Sequence, residues 1–306
     1  MLLDREMDEI GVDCELLGDT EFDTLSLTGT TLGVRTLTFV DNQKYIHLLQ
    51  DNCVVLTLEK LAPLICNKGV CICKNPRITF FRIHNNLANN TEYRRKHFST
   101  QIGSSCIISP LAYIAEYNVK IGDNVRIEEF VSIKENTVIG NDSIIRAGSI
   151  IGGEGFEFKR DDDIIMPVIH LGGVIIGNNV ELQQLTAVDK AIYPWDDTVI
   201  EDYCKIDNLV HIAHAVKIKK RALVVANSLV GGRTIIEEDA WIGASATVIN
   251  GITVGRNARV NIGAVATKNV SVGESVTGNF AIEHSRFIRN LKEAVEDSCT
   301  SAKKDI

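Results

Sequence analysis

The chain has 306 residues, 45% of them hydrophobic and 24% charged, with a formal net charge of −8. That length supports a sizeable core, and the composition excludes collagen-like, disordered and disulfide-scaffold classes. The acidity argues against non-specific nucleic-acid binding. No apolar run approaches the roughly 18 residues of a membrane span, and the opening MLLDREMDEIG is too acidic for a signal peptide. A cytoplasmic location is therefore expected. Isoleucine (37) and valine (28) are abundant, yet aromatics make up only 6% and there are five prolines. That much β-branched carbon with few aromatics is unusual for a sandwich or a dinucleotide-binding domain.

Residues 1–100 lack any short repeat. DREMDEIGVDCELLGD predicts a short helix followed by a turn, and the segments near 24–40, 53–58 and 70–83 read as strands. This is a separate α/β module. The eight cysteines have no CxxC and no regular spacing, so they are expected to be reduced thiols, with no metal site.

A period of six governs the middle of the chain. Upstream it reads Ile102, Ile108 and Ile114, slips by one residue, then runs Ile121, Ile127, Ile133, Ile139, Ile145 and Ile151. From Ile176 it continues through Leu182, Val188, Ile200, Ile206, Ile212 and onward to Val272. The residue four places after each is nearly always small or β-branched, as in Ser143, Ser149, Val210, Ala222 and Thr234; Asn118 is the polar exception. Six fits neither an α-helix nor a plain strand. It fits a triangular parallel β-helix, in which each side is a short strand plus a corner and each coil buries its face against its neighbours. Residues 101–278 form this prism. Residues 152–175 break the register and predict an extruded loop, a common carrier of function. The stretch DKAIYPWDD (189–197) keeps the register but puts Pro194 at an inward slot, predicting a distorted coil. Residues 279–306 predict a short helix with Phe287, Ile288, Leu291 and Val295 on one side, expected to pack across the end of the prism, then a polar tail.

The six-residue tract resembles the hexapeptide-repeat signature of the left-handed β-helix acyltransferases. With LTFVDNQKY (37–45), IGGEGFEF (151–158), DDTVI (196–200) and KIDNLVHIAHAV (205–216), the chain resembles the UDP-3-O-acylglucosamine N-acyltransferases of lipid A biosynthesis. The resemblance implies a mainly β fold: a left-handed parallel β-helix with an N-terminal α/β domain that grips a nucleotide and a short C-terminal helix. It also implies a homotrimer with active sites between neighbouring prisms.

Transfer of an acyl group from a thioester to an amine needs a base, an oxyanion donor and a cleft that aligns both substrates. In HIAHAV, Ile212 points inward, so His214 sits near an outward corner and is the expected base, a role the resemblance reinforces. His211 is a candidate binding neighbour. Asp207 and Asn208 either orient His214 or satisfy backbone groups at a corner. Gly232 lies eighteen residues on, one coil above His214. The resemblance makes its N–H the oxyanion donor; a corner needing positive φ is the other reading. By resemblance, Phe39, Asn42 and Tyr45 hold the uracil or thymine base, Phe39 having also a core reading, and Gly155 and Phe156 cover the sugar. Ile252 stands where lipid A enzymes commonly carry a second histidine, and residues 262–279 look like acetyl-CoA-dependent sugar acyltransferases. These departures favour acyl-CoA as donor and a UDP- or dTDP-linked amino sugar for surface polysaccharide or glycan synthesis. Lipid A synthesis on acyl carrier protein is the alternative, and Arg286, Arg289 and Lys292 are basic enough to meet such a carrier or a phosphate. An O-acyltransferase and a non-catalytic trimeric scaffold stay open as further readings.

Overall fold

The computed structural model describes residues 1–66, 68–278, 281–290 and 292. Its prism is built from three parallel sheets of nine, eight and eight strands, each strand mostly two residues long. Successive coils pair residues eighteen apart, as in Lys205 with Leu223 and His211 with Leu229. The six-residue period therefore becomes three sides per coil, and the inward aliphatics stack into ladders. Ile133, Ile145, Ile206, Ile212 and Ile236 are all buried in one continuous core, each contributing on the order of 2 kcal/mol.

The corners explain the second position of the repeat. The left-handed conformation recurs at every sixth residue from Tyr203 to Gly263. Small residues just after it fill the tight bend, and the polar ones bond back to the main chain. Ser143, Ser149 and Thr234 donate to the carbonyls of Gly177, Gln183 and Ile249, each at 2.9 Å. Asn118 takes a left-handed corner (φ 57°), accepts from the Phe98 amide at 2.9 Å and donates to Asn136 at 3.1 Å. Its polarity is thus satisfied where the register slips.

The N-terminal module is a five-stranded sheet flanked by helices α1 (Leu3–Ile10) and α2 (Pro76–Leu87). The expected strand over 70–83 is corrected: the strand Gly69–Ile72 ends early and α2 begins at Pro76. Asn75 caps α2 through the Ile78 amide, and Pro76 occupies the first turn, where its missing N–H costs nothing.

The excursion after Asp189 leaves the prism and docks on this module. Ile192 and Tyr193 are buried in the module's core, Trp195 packs beside them, and Pro194 is only half-buried on the excursion, contrary to its expected inward slot. Arg95 fastens the join, donating to the Pro194 and Asp196 carbonyls and the Asp197 carboxylate at 2.7–2.8 Å. The extruded loop is a two-stranded hairpin, Phe158–Asp161 with Ile164–Pro167, and the prism resumes at Gly173. Helix α2 clamps the hairpin: Arg82 pairs with Asp161, and His84 bonds the Ile169 carbonyl at 2.7 Å. Residues 284–290 are helical, whereas Leu291 and Val295 lie outside the described residues. Among the described residues, no helix is long and apolar enough to cross a membrane.

Candidate active site

Coil stacking assembles one column of the site. His214, Gly232 and Asn250 follow at eighteen-residue intervals, and all three line a cleft of about 290 Å³. The Arg233 amide donates to the His214 carbonyl at 3.0 Å, holding the two coils in register. A Cβ on Gly232 would lie 2.8 Å from His214 Nε2 and 2.9 Å from its Cε1. The residue is not left-handed; its neighbour Arg233 takes that conformation (φ 60°). Gly232 is therefore demanded by the imidazole pressing on the backbone, not by the corner's dihedral angles. Its amide N–H has no protein acceptor among the described residues, so it is free to donate into the cleft.

The opposite wall comes from the N-terminal module. Phe39, Arg77 and Phe81 face His214 across the cleft. Phe39 has its expected core role and also borders the cleft. Its ring packs on Phe80 at 5.1 Å, while Arg77 lies over it at 5.6 Å and the residue lines the opening. Asn42 and Tyr45 stand elsewhere. Asn42 caps the turn that follows by accepting from the Lys44 amide, and Tyr45 is exposed beneath the Lys44 ammonium. Neither lines the cleft within one chain.

The hairpin supplies the third wall and the residues that the sequence pattern did not reveal. Glu157 Oε2 is 3.4 Å from His214 Nε2, and its other oxygen pairs with Lys159. Burial pushes the Glu157 carboxyl up, but hydrogen bonds from His214 and Lys159 outweigh it and hold the group at about 2. Below the hairpin lies a buried cluster. A Cβ on Gly155 would sit 3.0 Å from His170 Nε2, 3.1 Å from Asp189 Oδ2 and 3.5 Å from His214 Cδ2. Gly155 thus covers the cluster as closely as a backbone can, whereas Phe156 points outward, 92% exposed, against Phe158. His170 stacks edge-on to His214 with ring centroids 5.8 Å apart. Its Nδ1 bonds the Val168 carbonyl at 3.0 Å, which fixes the proton there and leaves Nε2 as a buried acceptor without a partner among the described residues. Burial raises the Asp189 carboxyl, opposed by His211 and His214. His211 Nε2 lies 3.5 Å from Asp189, so it borders the cluster without entering the cleft.

Asp207 does not orient His214. Its two oxygens accept from the Asn208 and Ala226 amides, at 2.8 and 3.1 Å. Asn208 in turn accepts from the Gln184 amide at 3.0 Å. Both are corner residues tying coils together. Ile252 packs on the prism core.

Comparisons with known proteins agree with this architecture. Residues 118–153 match the bacterial transferase hexapeptide (six repeats) family. A UDP-3-O-acylglucosamine N-acyltransferase from Rickettsia akari is 45% identical over 111 residues, covering 36% of this chain and 31% of that protein. UDP-3-O-acylglucosamine N-acyltransferase 2 from Legionella pneumophila is 40% identical over 169 residues, covering 54% and 48%. The chain therefore spans less than half the length of these relatives. In fold it resembles a UDP-N-acetylglucosamine acyltransferase from Campylobacter jejuni (TM-score 0.51, 21% identity, 56% of this chain and 64% of that one). An Arabidopsis enzyme of the same name is similar (TM-score 0.50, 22% identity, 59% and 68%).

The pH dependence of stability isolates the buried cluster. Burial, and then repulsion by His214, push His170 from 6.5 down to about 4. A group so depressed contributes stability that is complete above pH 6.5 and is lost as pH falls toward about 4. Denaturant titrations of wild type and His170→Gln should diverge in that window, with the flatter profile in the variant; parallel profiles would contradict the assignment. By repeat, coil stacking and topology, the chain is a three-sided parallel β-helix built on six-residue repeats.

Proposed function

We propose that the chain is an N-acyltransferase that moves an acyl group from a thioester to the amine of a nucleotide-linked amino sugar. The observation that carries the reading is the cleft itself, in which an aromatic platform, three cations and a histidine beside a free backbone N–H occur together. Phe39 offers a face for a pyrimidine base. Arg77, Lys159 and Arg233 line the space between, where a diphosphate would lie. His214 Nε2 takes the proton of the amine as its nitrogen bonds to the thioester carbon. The Gly232 N–H donates to the oxygen on which negative charge develops. The C–S bond then breaks, and the imidazolium returns its proton to the departing thiolate.

The names of the relatives support UDP-3-O-acylglucosamine as the acceptor class. They favour the lipid A reading over a surface-glycan enzyme, and acyl carrier protein is the donor that goes with that reading, acyl-CoA with the other. The thioester is a substrate on either reading. His214→Ala should lower turnover of a UDP-amino sugar by about 10²–10⁴-fold without changing the melting temperature, and paired assays with acyl-CoA and acyl carrier protein identify the donor. Full turnover in His214→Ala would refute the mechanism.

We also propose a homotrimer. One corner of the prism carries an outward column of Leu111, Phe130, Leu185 and Leu209, all exposed in the single chain. Phe130, Leu185 and Leu209 hold left-handed φ values of 58–60°, a conformation that costs bulky residues about 1–2 kcal/mol each. An apolar ridge kept at such a cost supports burial against a second copy. Sedimentation equilibrium should give a trimer for the wild type and smaller species for Leu185→Asp; a monomeric wild type would overturn this.

A further inference from the structure

Glu157 has no part in the chemistry above, yet it lies on the base. It is the only carboxylate among the residues that line the cleft. Its position is built: the Glu157 amide donates to the Gly155 carbonyl at 3.1 Å, and its carbonyl accepts from the Val168 amide at 2.9 Å. The side chain is fixed as well. Lys159 holds Oε1 while itself lying 4.4 Å over the Phe81 ring, which leaves Oε2 turned to His214 Nε2 at 3.4 Å.

At that separation the two atoms serve one donor between them. Among the described residues His214 Nδ1 is buried without a partner, so in the free protein the ring donates from Nε2 to Oε2. With an acceptor bound and the ring proton moved to Nδ1, Nε2 and Oε2 become adjacent acceptors. A hydroxyl has a single proton and satisfies one of them. An ammonium group, with three protons and a positive charge, satisfies both and neutralises the carboxylate.

We infer that Glu157 is a specificity-determining residue that binds the acceptor's ammonium group against His214 and so selects amino-sugar over hydroxyl-sugar nucleotides. This rests on the acyl-transfer reading of the cleft. The ammonium gives one proton through His214 Nε2 to bulk water. The neutral amine that results then attacks the thioester by the steps given above, and the carboxylate is ionised throughout. Lys159 acts as a strut, keeping Oε2 aimed at the base. Arg77 and Arg233 lie where they favour the phosphates and repel an amine bound the wrong way round.

The test is equilibrium binding of UDP-glucosamine and UDP-glucose to the full-length protein by calorimetry, above the pKa of Glu157 and below that of the amine. Wild type should favour the amino sugar by about tenfold or more. In Glu157→Gln that ratio should collapse toward one through weaker UDP-glucosamine binding, with UDP-glucose affinity unchanged. Glu157→Asp, which keeps the charge, should recover part of the preference, a result that general damage to the hairpin would not give. Equal weakening toward both nucleotides, or an unchanged ratio, would overturn the inference. A wild type that binds neither nucleotide would instead refute the reading of the cleft on which it rests.

Discussion

Coil-on-coil stacking at an eighteen-residue interval is the constraint from which the site follows. Inward Ile and Val ladders lock each coil over the next, so a residue at one corner stands directly above the residue eighteen places earlier. His214, Gly232 and Asn250 are one such column. The imidazole and the free N–H are therefore held by the same core that makes the fold stable. On the proposed acyl-transfer reading such preorganisation favours catalysis, because the donor need not move as charge develops.

The prism alone gives a flat column. Depth comes from two departures from its regularity, which meet at the same coil. The excursion after Asp189 plants Tyr193 and Trp195 in the N-terminal module, and the hairpin after Gly153 folds back over His214. Arg95 joins module to excursion, and α2 joins module to hairpin through Arg82 and His84. Phe39 thereby faces a histidine 175 residues away in the sequence. Charge is distributed accordingly, with cations toward the middle of the cleft and one ionised carboxylate at the base.

The repeat made the prism readable, since its period is printed in the identity of every sixth residue. The stacking of Gly232 over His214 was readable for the same reason, since a known period converts sequence distance into vertical distance; the oxyanion role of Gly232 came from the family resemblance alone. Glu157, His170 and Asp189 were not readable. They meet through a hairpin whose path obeys no period, and a carboxylate in a charged loop looks like any solvated one. Asp207 shows the converse, because its nearness in sequence to His214 suggested a partnership that the corner geometry spends on backbone amides instead. The strand expected over 70–83 failed at Asn75–Pro76, a helix-start signal inside an apolar run.

On the proposed function, the cleft between Phe39 and His214 receives a nucleotide amino sugar. A crystal structure of His214→Ala soaked with the UDP-amino sugar tests it most directly. The base is expected against Phe39, the diphosphate among Arg77, Lys159 and Arg233, and the amine beside Glu157 under Gly232. A nucleotide bound elsewhere on the molecule, or one lying with its sugar away from residue 214, would contradict it.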